Sequence, residues 1–144
     1  MFTRWHRPAL RRLIPVLASA SLVGFMLAVP TAFGKVVFNT IDGAPLVTDG
    51  GRHIVITGPL SCTAGERAFL RVTVTQRETG AIAEGHTLVR CSGDIRQWEV
   101  HATVRGAAVF QQGLATAAAL ARTSAHGDIS DSHQWLVNIT LVAD

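Results

Sequence analysis

Ala68-Phe69-Leu70-Arg71-Val72-Thr73-Val74-Thr75-Gln76 decides how this 144-residue chain folds. Leu70, Val72 and Val74 fall on one side of an extended backbone, with Arg71, Thr73 and Thr75 on the other. A period of two with polar residues on one face predicts a half-buried strand in an antiparallel sheet. Toward the N-terminus, the β-branched run His53-Ile54-Val55-Ile56-Thr57 ends at Gly58-Pro59 and predicts another strand. Asp49-Gly50-Gly51 before it reads as a turn, and residues 35–51 as a lead-in with one edge strand near Pro45-Leu46-Val47.

Toward the C-terminus, Glu78-Thr79-Gly80 turns the chain into an extended stretch over residues 81–91, broken by Gly85. Trp98, Val100, Ala102 and Val104 then alternate with Glu99, His101, Thr103 and Arg105. Trp135, Val137, Ile139 and Leu141 do the same against Gln134, Leu136, Asn138 and Thr140, so each run starts at an inward tryptophan. Residues 107–122 are ambiguous: the alanines favour helix, with Phe110, Leu114 and Ala118 at helical spacing. Gly113 interrupts such a helix and the neighbours on both sides are strands, so residues 114–121 are read as a strand whose small side chains leave room for the tryptophans. Six or seven short strands at regular spacing predict an all-β, immunoglobulin-like antiparallel β-sandwich over residues 52–144.

Residues 1–34 read as an address. Arg4, Arg7, Arg11 and Arg12 precede an apolar run over residues 13–29, and Ala32-Phe33-Gly34 places small residues three and one before a cut. A cationic segment, an apolar segment forming a short helix and a small-x-small site are the parts of a secretory signal peptide, with cleavage after Gly34. The alternative is an uncleaved anchor, which is the only membrane association the sequence supports. Seventeen residues interrupted by Pro15 and Gly24 make a short span.

Removing four of the thirteen Lys and Arg residues leaves nine cations against ten carboxylates, a formal charge of −1. With those cations scattered, a nucleic-acid partner loses its electrostatic basis. The remaining 110 residues fit one domain able to bury its own core. Cys62 and Cys91 are the only cysteines, and export would carry them into an oxidising compartment where a disulfide is the default state. Zinc-site spacing is missing, and a blue-copper centre lacks its axial methionine because Met1 and Met26 both precede the cut. A tryptophan near a disulfide is also an immunoglobulin arrangement, although the order here is Cys, Cys, Trp.

Ile56-Thr57-Gly58, Cys62-Thr63-Ala64-Gly65-Glu66 and Val72-Thr73-Val74-Thr75-Gln76 together resemble a group of small secreted bacterial proteins. Gly80, Glu84-Gly85, Cys91-Ser92-Gly93, Trp98 and Gln134-Trp135 continue the resemblance over residues 52–142. That group is described as immunoglobulin-like and uncharacterised, so the resemblance implies a fold and names no chemistry. Some of its members carry a further cysteine pair toward the C-terminus, which this chain lacks.

The densest polar cluster is Ser124-Ala125-His126-Gly127-Asp128-Ile129-Ser130-Asp131-Ser132-His133. His126, Asp128, Asp131 and His133 are ligand types for a divalent ion, but Gly, Asp and Ser are also what a hydrated hairpin loop needs. No nucleophile framework accompanies the Ser, His and Asp residues, so no enzyme and no cofactor are expected. His101 alternates outward, and His53 and His86 have no partner nearby in sequence. Asn138-Ile139-Thr140 fits a glycosylation sequon but also a strand with Asn138 outward. The expectation is a non-catalytic binding or envelope-associated module facing an extracellular or envelope partner, with metal-dependent activity at residues 126–133 or a secreted inhibitor as alternatives. Its candidate contact loops are residues 63–67, 106–113 and 124–133.

Overall fold

The computed structural model describes residues 35–143. The signal segment, its helix and the cut after Gly34 lie outside the described residues. Alternation resolves into eight strands: β1 (Val36–Asn39), β2 (Leu46–Thr48), β3 (His53–Cys62), β4 (Arg67–Gln76), β5 (Ala81–Arg90), β6 (Arg96–Arg105), β7 (Gly113–Ala125) and β8 (Asp128–Ala143). Among the described residues the only helical piece is a 3-10 turn at Asp49–Gly51, and no helix is long and apolar enough to cross a membrane.

Seven of the strands close on themselves like a barrel: β3 lies beside β6, then β5, β4, β7, β8 and β2, which returns to β3. Every pairing around the ring is antiparallel except β2 with β8. The lead-in is part of this ring. β1 pairs with Leu60–Cys62 of β3 and β2 with His53–Val55, on the edge of β3 that β6 leaves free. Between them the chain changes neighbours: the Asp42 amide donates to Thr57, while the carbonyls of Gly43 and Pro45 accept from Thr140 and Val142 of β8.

The core is the set of inward positions that the alternation picks out. Leu70, Val72 and Val74 are buried on β4, Trp98, Val100, Ala102 and Val104 on β6, and Ile139 and Leu141 on β8, with Trp135 and Val137 packed against them. β7 is a strand despite its alanines because Ala115, Ala117, Ala119 and Ala121 line one buried face. Val72, Ala119 and Trp135 share one cross-strand row, and Val74, Ala117 and Val137 the next. The small residue stands between two larger ones, so helix propensity yields to tertiary packing.

Two local features set the shape. β5 pairs with β6 only over Ile82–Glu84, and then Gly85 comes so near β6 that a Cβ there would collide with the His101 carbonyl and the Val100 side chain. Gly85→Val is expected to cost about 1 to 3 kcal/mol by overpacking. It should also speed amide exchange at residues 82–84 and 103–105; unchanged stability and exchange would mean that β5 does not depend on that approach. Across the same seam, the Glu84 carboxylate holds Arg71 at 2.7 Å and Arg105 at 3.0 Å, joining β4, β5 and β6. The hydrogen bond from Arg71 holds the Glu84 carboxyl below its ordinary pKa, with Arg105 acting in the same direction.

The polar segment after β7 is shorter than its composition suggests. The strands run on to Ala125 and resume at Asp128, leaving a two-residue turn with φ +53° at His126 and +100° at Gly127. Two positive φ values make a type I′ hairpin turn, which suits the strand twist and which glycine adopts freely at its second position. The loop expected over residues 124–133 is therefore a hairpin. Its one irregularity lies at Ser130, where the register slips between Thr123 and Ser124.

Candidate functional site

Cys62 ends β3 and Cys91 follows β5; they form a disulfide with Cα atoms 5.2 Å apart. The bridge anchors the turn over residues 63–66. Gly65 donates to the Cys91 carbonyl at 3.1 Å, Cys91 donates to the Glu66 carbonyl at 3.0 Å, and Gly93 donates to the Cys62 carbonyl at 3.2 Å. Backbone pairing of this kind satisfies groups that a buried turn would otherwise strand.

Glu66 is buried, and its Oε2 accepts a 3.0 Å hydrogen bond from the Ser130 hydroxyl, which lies 2.9 Å from Thr123 Oγ1. The bulge at Ser130 makes this possible, since an extra residue in one strand re-aims a side chain. β3, β4, β7 and β8 thus meet at one end of the barrel around a buried carboxylate. Over this end opens a cleft of about 710 Å³ between the 63–67 turn and the β7–β8 hairpin, with Leu88 on its wall. Two of the three expected contact loops are neighbours here. The third, residues 106–113, belongs to the other end of β4, where the Gln76 side chain donates to the Gln111 carbonyl and accepts from the Gln111 amide, both at 2.9 Å.

The four residues of the alternative metal reading do not converge. His126 occupies the turn, Asp128 opens β8, and Asp131 accepts a 3.0 Å hydrogen bond from the Val36 amide of β1. His133 lies against Trp135, ring centroids 5.9 Å apart. Neighbours along a strand point to opposite faces and residues two apart are spread along it, so closeness in sequence does not become a ligand set. Among the described residues no group of three or more His, Cys, Asp and Glu side chains is placed to hold a metal. Asn138 is exposed on β8 as expected, with the Thr116 hydroxyl donating to its side-chain oxygen at 3.4 Å.

A pairing that the sequence did not show joins β3 to β6 on their outer face. His53 Nε2 and His101 Nδ1 are 3.1 Å apart, and His101 Nε2 is 2.8 Å from Glu99 Oε1. Outward alternation placed His101 on a surface and gave His53 no partner, but the β3–β6 register, which sets Val55 opposite His101, makes them diagonal neighbours. Compared with known proteins, the sequence matches no protein family and no curated protein.

Proposed function

We propose that this chain is an exported, non-catalytic binding module, an immunoglobulin-like sandwich of the small secreted bacterial type, acting outside the cell or at its envelope. The observation that carries the reading is the cleft at the disulfide end, built from the 63–67 turn and the β7–β8 hairpin. Both walls are turns on a rigid closed sheet, the usual place for contacts in such folds. Ser130 and Glu66 are engaged with each other and with buried Thr123, which fits a structural bridge better than a reacting group. The Cys62–Cys91 disulfide fits an oxidising compartment.

The sandwich reading draws support from two short seams of the ring. Three residue pairs join β5 to β6 and two join β2 to β8, which leaves β1, β2, β3 and β6 facing β5, β4, β7 and β8. One departure is plain: the disulfide ties the last residue of β3 to the residue just beyond β5, at the sheet ends and not between strand interiors.

Ala64 is exposed on the wall of the cleft, so Ala64→Trp fills the space without touching the core. The parent chain is expected to bind envelope or extracellular fractions of its host saturably, and the variant at least about tenfold more weakly with the same thermal midpoint. Equal binding by the two proteins would remove the cleft from the proposal. A parent that binds nothing in those fractions would remove the binding module itself.

A further inference from the structure

We propose that His53 and His101 form a surface site for a divalent late transition metal ion, Cu(II) before Zn(II), with water in the remaining coordination positions. This site is independent of the cleft and of the function read from it. Two imidazole nitrogens on one tetrahedral Zn(II), each at about 2.0–2.1 Å, stand roughly 3.3–3.4 Å apart; on adjacent corners of a square-planar ion they stand roughly 2.9 Å apart. His53 Nε2 and His101 Nδ1 are 3.1 Å apart, between those values, with the ring planes at 74° to one another.

Glu99 as a carboxylate only accepts, so the nitrogen of His101 that faces it at 2.8 Å carries the N–H. Nδ1 of His101 is then the lone pair, and it points at His53. Without metal, the hydrogen on His53 Nε2 fills the gap between the rings. With metal, that hydrogen moves to Nδ1 as His53 takes its other tautomer, and a small turn of the two rings lets both lone pairs meet an ion about 1.3 Å off the line between the nitrogens. A carboxylate behind a histidine is the usual outer support of a metal ligand, fixing the ring and strengthening the donor nitrogen.

Residues 99–103 of β6 pair with β3 on one side, and Gly85 presses against the His101 carbonyl. The ligands therefore stand on a held backbone and not on a loop, which favours a preformed site. The His101 side chain is 58% exposed, so an ion can reach the pair and keep its waters. Imidazole donors with water suit Cu(II) and Zn(II), and the affinity order among divalent ions places Cu(II) first. Such a site is unlike a blue-copper centre, which needs a cysteine ligand, whereas both cysteines here are in the disulfide.

The test is titration of the full chain with Cu(II) and with Zn(II), followed by calorimetry and, for copper, by electron paramagnetic resonance. One ion per chain is expected at this pair, with a copper spectrum showing two nitrogen donors. His53→Ala and His101→Ala should each weaken it at least about tenfold, and Glu99→Ala about tenfold. His86→Ala, His126→Ala and His133→Ala should leave it unchanged. Binding that survives either of the first two variants, or a parent without a saturable two-nitrogen site, overturns the proposal. As a check without substitution, bound metal should protect His53 and His101 of the parent from acylation, read by peptide mass spectrometry. Equal labelling with and without metal also overturns it.

Discussion

Trp98→Ala lowers the stability of the fold by about 3 to 5 kcal/mol, the largest loss expected from any single substitution considered. Trp98 is 3% exposed and opens the inward row of β6. Its ring fills the space that glycine leaves opposite: Gly58 pairs with it in register, and a Cβ at Gly58 would collide with the indole and with the Thr40 carbonyl. Removing the indole opens a cavity that β3 can collapse into only by moving the backbone near Thr40, so relaxation is limited. Among the described residues the buried indole N–H has no partner, so its loss releases no acceptor there and the cost is one of volume and contact. Trp98→Phe should for that reason retain more than half of the difference. Urea unfolding of the three proteins checks this, with a lower midpoint and an unchanged slope for the alanine variant. An alanine variant within about 1 kcal/mol of the parent would mean that the core does not rest on this ring.

Replacing both cysteines, Cys62→Ala with Cys91→Ala, is expected to cost about 3 to 4 kcal/mol through the unfolded chain, which loses a closed loop of about 30 residues. The native contribution is separate: the bridge fixes the turn over residues 63–66, which hydrogen-bonds to Cys91 at Gly65 and at Glu66, while Gly93 donates to Cys62 beside it. The signature differs from that of Trp98. The unbridged chain is more expanded when unfolded, so the urea slope should rise as the midpoint falls. Reduction of the parent should reproduce both changes. A double variant with the parent's midpoint would place the stability of this end in the Glu66, Ser130 and Thr123 bonds instead.

The inward rows of β4, β6 and β8 were legible because each is a two-residue alternation, which is a local property of the chain. β7 was legible only by context: its alanines vote for helix, and their strand character comes from the valines and tryptophan of neighbouring strands. Closure of the ring was not legible. It depends on three residue pairs beyond Ala81 and two at Leu46 and Val47, too few to leave a pattern. A hairpin was named over residues 124–133, but the reach of its strands was hidden for another reason. Its strand residues are serines, aspartates and histidines, exposed or engaged in hydrogen bonds, so no apolar alternation marks them. The two halves of the cleft could be named as loops but not as neighbours. His53 and His101, 48 positions apart, needed the β3–β6 register before they could meet.

The parallel seam between β2 and β8 has a consequence for the order of events. Leu46 waits for Val142, and Val47 for Ala143, so β2 finds β3 at once but its second neighbour only at the far end of the described chain. A nascent chain emerging N-terminus first can form the β4–β5 hairpin early, but the ring stays open until nearly every residue is available. Folding governed by such distant pairings is slow, on the order of milliseconds to seconds for all-β domains. Closure of the ring is therefore the last pairing to become possible, and β2 keeps one edge open until Val142 and Ala143 arrive.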